Sequence, residues 1–180
     1  MRLISFAFEI LPLVALFIGN SLYDIFIGAI SAVIAALILN IYVYIAEKRL
    51  SSFALFSVLI SAVFTAASVL AGDSLFIKIQ PSLFNGIFAL MLLGGWVRGK
   101  AMMKVFFAAQ FHLDDKTWRL LSLRWGLFMA GLVLANEWAW RSLSDDGWVY
   151  FKIFAVAPAT GLFMLAQLPA TLRGRIKEEK

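Results

Sequence analysis

Residues 25–46, IFIGAISAVIAALILNIYVYIA, decide the fold class of this chain. The stretch carries no charged side chain, and it reaches the roughly 20 apolar residues that a helix needs to cross the hydrocarbon core of a bilayer. Only helices and closed barrels satisfy their backbone hydrogen bonds in lipid, and no barrel-like alternation of polar and apolar residues is present. The stretch therefore predicts a transmembrane helix.

Further apolar stretches lie on either side of this one, at residues 3–19, 53–71, 81–97, 119–140 and 148–172. Together the six predict an all-α, polytopic transmembrane helical bundle in which residues 1–180 form a single integral membrane domain. The first and fourth stretches are short, and the first also contains Glu9 and Pro12. Either of them fits a tilted, partial or interfacial segment, so five and six membrane spans both stay open.

The composition supports residence in a membrane. Hydrophobic residues make up 62% of the chain and charged residues 15%, against about 45–50% and about 25% in soluble domains. The net charge of +5 comes from basic clusters between apolar stretches, which indicates membrane topology rather than nucleic-acid binding. The chain has no cysteine and one histidine, His112, so we expect no disulfide, no metal centre and no cofactor.

The basic residues alternate in density from one connection to the next, as the positive-inside rule requires. With six spans the sparse segments hold only Lys78, Arg141 and Lys152, Arg124 lies within a span, and the remaining connections and ends hold the other basic residues. We therefore expect both chain ends, including a basic tail at residues 173–180, to be cytoplasmic. An N-terminal signal that is cleaved is not expected, because Glu9 and Pro12 interrupt the first apolar stretch.

The longest connection, residues 98–118, mixes lysines with bulky apolar side chains. It predicts a cytoplasmic connection that contains an interfacial amphipathic helix over residues 100–111, where lysines would meet lipid headgroups. An extension of the fourth transmembrane helix is the alternative. Asp114 and Asp115 predict the N-cap of the next helix.

Polar and ionisable side chains within the spans are the candidate functional residues, because they are costly to place in lipid. Glu9, Asn40 and Arg124 are expected at similar depths near the cytoplasmic side, where a Glu9–Arg124 pair is geometrically feasible. A second layer nearer the other side also includes Arg141, which lies four residues after Glu137 and could pair with it. Its candidate members are Asp24, Lys78, Asn85, Asn136, Glu137 and Lys152. For both layers the alternative role is structural, since polar side chains commonly join transmembrane helices by hydrogen bonds.

Two further patterns predict packing and membrane position. Small residues recur every three or four positions in the third stretch, which favours close approach by another helix; they are Ser57, Ser61, Thr65, Ser68 and Gly72. Trp118, Trp140 and Trp148 stand at the ends of spans and predict an aromatic belt at the membrane interface.

The order of several short motifs resembles the intracellular septation protein A family of inner-membrane-spanning proteins of Gram-negative bacteria. The motifs are Glu9-x-x-Pro12-Leu13, Tyr23-Asp24, Phe76-Ile-Lys78-Ile-Gln80-Pro81 with Asn85, Trp118-x-x-Leu121-x-x-Arg124-Trp125, Asn136-Glu137, and Trp148-Val-x-Phe151-Lys152. The resemblance implies a non-enzymatic, multi-pass inner-membrane protein that supports cell-envelope maintenance, septation and cell shape.

Three functions follow as hypotheses. The first is an envelope factor that binds membrane lipids and membrane-protein partners of the division or elongation machinery, with no nucleic acid. The second is a small transporter or lipid-handling protein that uses the embedded charged residues. The third, a membrane enzyme, lacks support because no nucleophile–base arrangement or phosphate-cradling loop is visible, so no catalytic residue is predicted.

Overall fold

A computed structural model describes the backbone of residues 2–47, 52–108 and 111–176, and the side chains of residues 10–46, 55–108 and 111–176. These residues form eight α-helices and one π-helical segment, which confirms the predicted all-α class. The helices are α1 (Arg2–Leu22), α2 (Ile25–Glu47), α3 (Ser52–Ala71), α4 (Leu75–Val97), α5 (Met102–Phe107), α6 (Asp115–Ser142), α7 (Asp145–Phe151) and α8 (Ala157–Arg173).

The first five predicted apolar stretches each lie in one α-helix, and the sixth runs through α7, the π-helical segment and α8. By length and composition, four helical stretches of the described part can cross a membrane: Ile25–Ala46, Leu75–Val97, Asp115–Ser142 and Asp145–Arg173. Two shorter apolar stretches, Ile10–Leu22 and Leu55–Ala71, belong to α1 and α3. Many large apolar side chains point away from the protein, as lipid contact requires; Leu70, Leu90 and Leu134 are 88%, 77% and 72% exposed. The number of crossings, five or six, stays a prediction.

Two helices begin earlier than their apolar stretches because aspartates cap them. The Leu75 amide donates to Asp73 Oδ1 at 2.8 Å, and α4 begins there rather than at residue 81. The Thr117 amide donates to Asp114 Oδ1 at 2.7 Å, and α6 begins at Asp115 rather than at residue 119. The N-cap predicted at Asp114 is thereby confirmed, and Lys78 lies inside the first turn of α4.

The connection between α4 and α6 contains a separate short helix, α5, of 6 residues. Gly99 precedes it with a φ of 76°, a left-handed conformation that ends α4. The alternative prediction, an extension of the fourth transmembrane helix, is therefore wrong. Val105, Phe106 and Phe107 are exposed on α5, and its place at the membrane interface stays a prediction.

The chain divides into two compact units, of which the first comprises Met1–Gln80 and Ala139–Ala155. In it α1 and α2 form an antiparallel hairpin whose backbones touch at two glycines. A Cβ atom on Gly19 would lie 2.7 Å from the Cα atom of Gly28, so only glycine fits there. The core of this unit combines both helices with α7 and includes Leu16, Ile25 and Trp148.

The second unit comprises Pro81–Trp138 and Val156–Lys180. Near the start of α6, Leu113, Trp118 and Leu121 form a core against which Met103 packs. An isolated antiparallel β-bridge joins Leu113 to Arg175, so the segment after α8 pairs with the segment before α6. Farther along these helices, the rings of Phe128 and Phe163 stack with centroids 4.0 Å apart.

The predicted aromatic belt is wrong for two of its three tryptophans. Trp118 and Trp148 are each only 2% exposed, because each fills the core of its own unit. Large aromatic side chains bury more apolar area than any other residue, which makes them effective core residues even at the end of a span. The ring of Trp140 is half-buried.

A π-helical segment, Lys152–Val156, connects α7 to α8. Pro158 follows two residues later and explains the wider turn. Its nitrogen cannot donate a hydrogen bond, and its ring crowds the carbonyl group of Phe154 four residues earlier. A π turn spreads the backbone at this point, so the helix continues through the proline.

Candidate functional site

The first unit contains a polar group of side chains at one set of helix ends, which we call the Asp145 cluster: Asn20, Ser74, Lys78, Asp145 and Asp146. Lys78 Nζ lies 2.7 Å from Asp145 Oδ1, and the Ser74 hydroxyl donates to the same oxygen at 3.0 Å. Asn20 Nδ2 donates to Asp146 Oδ1 at 2.7 Å. The Lys78 side chain is 12% exposed and that of Asp145 is 42% exposed, so the ion pair is largely withdrawn from solvent on the lysine side.

Local sequence places the members of this cluster. The Ser144 hydroxyl accepts from the Gly147 amide at 3.1 Å and caps α7, which puts Asp145 and Asp146 in the first turn. The buried Ser68 hydroxyl of α3 accepts from the Ile77 amide at 3.1 Å, which holds the first turn of α4 against α3. The cluster therefore joins the ends of α1, α4 and α7 through charge-assisted hydrogen bonds.

The small-residue stripe of α3 contributes to the same packing. Gln80 Nε2 donates to the Ser61 hydroxyl at 2.6 Å, and Thr65 and Ser68 are buried. The hydroxyl groups of Ser61 and Ser68 therefore supply bonds between α3 and the start of α4. The close approach predicted for the whole stripe stays a prediction.

Two cations of the first unit rest on aromatic rings. Lys152 Nζ lies 5.4 Å from the ring centroid of Trp148, and Arg141 Cζ lies 4.4 Å from the ring centroid of Trp140. Both distances are within the range of cation–π attraction. The buried indole of Trp148 thus provides a favourable surface for the ammonium group of Lys152, one of the predicted polar residues.

In the second unit two of the embedded polar residues, Arg124 and Asn136, form pairs with uncharged side chains. Arg124 Nη1 donates to Gln167 Oε1 at 3.3 Å, and Asn136 Nδ2 donates to the Ser82 hydroxyl at 2.9 Å. Gln167 is buried and also donates to the carbonyl oxygen of Phe163. Arg124 is exposed, as a guanidinium group on a lipid-facing or water-facing side of the helix would be.

Other predicted residues serve the helices in which they lie. Asp24 Oδ1 accepts from the Ile27 amide at 2.8 Å and caps α2. Asn40 is buried, and its amide donates to the carbonyl oxygen of Ala36 one turn earlier. Asn85 is half-buried in α4 and forms no side-chain hydrogen bond with another described residue.

The pairings predicted for Glu9 and Glu137 stay predictions. The backbone of Glu9 lies in α1, but its side chain is outside the described residues, so the Glu9–Arg124 pair is not tested. Glu137 lies in α6, one turn before Arg141.

Sequence reasoning missed Asp145 as the partner of Lys78, and it missed Asn20 and Asp146 altogether as embedded polar residues. Both aspartates lie between the apolar stretches 119–140 and 148–172, so they were not counted among the embedded residues. The signal was present in Ser144-Asp145-Asp146-Gly147, since a serine cap followed by acidic residues marks the first turn of a helix. A lysine within a span also requires a carboxylate at equal depth.

Just before α6, the carboxylate of Asp114 accepts two hydrogen bonds from Thr117. The amide and the hydroxyl of Thr117 donate to its two carboxylate oxygens at 2.7 and 3.0 Å. These hydrogen bonds, the backbone one first, hold the pKa of Asp114 below its ordinary value. The neighbouring Asp115 forms an exposed ion pair with Lys104 of α5 at 2.7 Å.

Among the side chains that the structure describes, no group of three histidine or acidic residues is placed to hold a metal ion. What the described geometry provides is a set of short, directional bonds between helix ends.

Residues 4–178 match the family model described as intracellular septation protein A. The inner membrane-spanning protein YciB of Bradyrhizobium sp. (strain ORS 278) is 36% identical over 174 residues, covering 95% of this chain and 86% of the relative. The protein of the same name from Rhizobium meliloti (strain 1021) is 38% identical over 149 residues, covering 83% and 70%. That from Brucella melitensis biotype 1 is 33% identical over 193 residues, covering 99% and 96%. No solved structure matches the chain.

Proposed function

Since this chain belongs to the intracellular septation protein A family of multi-pass inner-membrane proteins, we propose that it supports septation, envelope maintenance and cell shape by binding other membrane proteins. The names of the family and of its relatives describe a protein that spans the membrane and mention no reaction. We further propose that the protein is not an enzyme and that its C-terminus faces the cytoplasm.

One observation supports a binding role over transport. Several embedded polar side chains of the described part bind each other or their own helices: Asp145 binds Lys78, Asn136 binds Ser82, and Asn40 binds the carbonyl oxygen of Ala36. A transport path requires polar groups that face a shared passage for the substrate. Polar groups that are already satisfied by each other instead fix the helices, which leaves the outer helix faces to contact partners.

Photo-crosslinking in living cells tests this proposal. A crosslinking amino acid at Leu90, which is 77% exposed on α4, reports what touches that face of the helix in the membrane. The matched control is the same amino acid at Leu92, which is 2% exposed on the same helix two residues later. We expect adducts with proteins of the division or elongation machinery from the exposed position and only internal products from the control.

The same crosslinking experiment can be carried out on two further helices, because Leu70 on α3 and Leu134 on α6 are exposed as Leu90 is. Adducts with lipid alone from all three exposed positions, in cells that complement a deletion strain, would contradict a role in binding other membrane proteins.

The second candidate is a transporter or lipid-handling protein, and the exposed guanidinium group of Arg124 favours it. Replacing Glu9 and Arg124 together with glutamine removes both charges expected near the cytoplasmic side. Full complementation by the inserted double variant would exclude these two charges as a transport path, whereas loss of complementation with normal insertion would support one.

A further inference from the structure

A cleft of about 630 Å³ opens where α6 begins and α8 ends, and it is independent of the function proposed above. It is lined by Asp114, Asp115, Lys116, Thr117, Arg173 and Gly174. Two backbone hydrogen bonds connect the segments on either side of it. The Asp114 amide donates to the Gly174 carbonyl oxygen at 2.9 Å, and the Ile176 amide donates to the His112 carbonyl oxygen at 2.9 Å. Gly174 is buried directly against the Thr117 side chain, where a Cβ atom has no room.

The two carboxylates of the cleft are already engaged. Asp114 accepts both hydrogen bonds from Thr117, and Asp115 is paired with Lys104. The backbone amide and the charge of Lys116 also lower the pKa of Asp114, by less than the two hydrogen bonds from Thr117 do.

Two cations of the cleft are left to act on a ligand. Lys116 and Arg173 are exposed, and neither forms an ion pair or side-chain hydrogen bond with another described residue. A lysine and an arginine that both line one cleft match the oxygens of a phosphate group, which guanidinium binds through two parallel hydrogen bonds.

The position of the cleft identifies the source of that phosphate. α6 and the stretch that ends with α8 are both long and apolar enough to span the membrane, and the cleft lies where both stretches end. The neighbouring side chains Leu120 and Leu172 are exposed and apolar, 38% and 66% respectively. A ligand here meets cations at one end and apolar surface along the helices, as a phospholipid requires. The volume is within the roughly 300–1,000 Å³ of small-molecule sites.

We propose that this cleft binds the phosphate group of an anionic phospholipid from the leaflet on its own side of the membrane. Lys116 and Arg173 contact the phosphate, and the acyl chains follow the exposed apolar surface beside Leu120 and Leu172. The site holds a lipid against the junction between α6 and the segment after α8.

Lipid retention by the intact protein tests the site. The full chain, purified in detergent, is mixed with phosphatidylglycerol or phosphatidylcholine, and the bound lipid is counted by native mass spectrometry. We expect phosphatidylglycerol to bind in preference to phosphatidylcholine. The Lys116→Gln/Arg173→Gln variant should bind phosphatidylglycerol about 30-fold more weakly, which corresponds to ~1 kcal/mol for each cation removed.

A matched control separates a site from general attraction to a basic surface. Arg98→Gln/Lys100→Gln removes the same charge from exposed positions after α4, outside the cleft, and should retain phosphatidylglycerol within about twofold of the original chain. Equal losses in the two double variants would overturn the proposal, and so would equal retention of the two lipids. Displacement of the lipid by millimolar inorganic phosphate would assign the cleft to free phosphate and overturn the lipid as its occupant.

Discussion

Two ion pairs of equal length offer a test of how burial sets the strength of a charge pair in this protein. Lys78–Asp145 and Lys104–Asp115 each have an N–O distance of 2.7 Å. Asp145 is the first residue of α7 and Asp115 the first residue of α6, so both carboxylates have the same favourable interaction with a helix N-terminus. The pairs differ in exposure: the lysine side chains are 12% and 51% exposed, respectively.

The change is aspartate to asparagine at each position, which removes the charge and preserves the shape. Asp145→Asn removes the carboxylate charge 2.7 Å from a mostly buried ammonium group, and we expect the free energy of unfolding to fall by about 2 kcal/mol. Asp115→Asn leaves Lys104 in water, and we expect a loss of about 0.5 kcal/mol or less. Asparagine can still accept the hydrogen bond from Ser74, so the first value reflects the charge.

Unfolding in mixed micelles of increasing sodium dodecyl sulfate, followed by tryptophan fluorescence, measures both losses. A double-mutant cycle with Lys78→Met then isolates the coupling between Lys78 and Asp145, which should account for more than half of the first loss. Equal losses in the two asparagine variants, or a coupling below about 0.5 kcal/mol, would refute the reasoning from burial.

Three more outcomes follow from features of single residues. Gly28→Ala should lower the free energy of unfolding by about 1–3 kcal/mol, because its Cβ atom would lie 2.7 Å from the backbone of α1. Gly94→Ala is the control: its Cβ atom would enter open space, so the change should be neutral or slightly stabilising in the same assay. Folding lowers the pKa of Asp114 from 3.8, so its carboxylate stabilises the fold fully above that value, and the stabilisation is lost as the pH falls through the lower, folded-state pKa. The melting temperature of the Asp114→Asn variant should therefore depend less steeply on pH below about 4 than that of the original chain. Equal dependence on pH in the two proteins would contradict this. In a chain without cysteine, Tyr23→Cys should react with a membrane-impermeant thiol reagent in intact cells and Ile176→Cys only after permeabilisation. Labelling of both from one side would exclude the five crossings predicted between residues 23 and 176.

The helices were predictable because their signal is local. An uncharged run such as residues 25–46 can only be a helix in lipid. Asp114 indicates the start of α6, because aspartate is a preferred N-cap residue and this one lies just before an apolar stretch. The start of α4 was missed because residues 75–80 contain Lys78 and Gln80, which reduce the apolar signal. There the structure depends on the Asp73 cap and on bonds from α3, which connect residues that are not neighbours in sequence.

The candidate site was predictable in part. Burial cost pointed correctly to Lys78, Arg124 and Asn136 as residues that need partners, but it could not name the partners. Ser82 and Gln167 are uncharged residues that look unremarkable in sequence, and they become partners only through helix packing. Trp118 was misjudged for the same reason, since an interfacial tryptophan and a core tryptophan occupy equivalent positions along a helix.

The π-helical segment between α7 and α8 is a place where this helical stretch can lose a residue at low cost. Each residue of an α-helix advances the direction of the following side chains by about 100°. A π turn contains one residue more than an α turn for nearly the same rotation, so deleting one residue from Lys152–Val156 would restore regular α-helical turns without that change of direction. The same deletion between Phe163 and Gln167 has no extra residue to absorb it, and it would turn these two side chains onto different faces of α8, so that they could not both meet α6. Among natural relatives we therefore expect single-residue length differences to fall within Lys152–Val156 and not within α8.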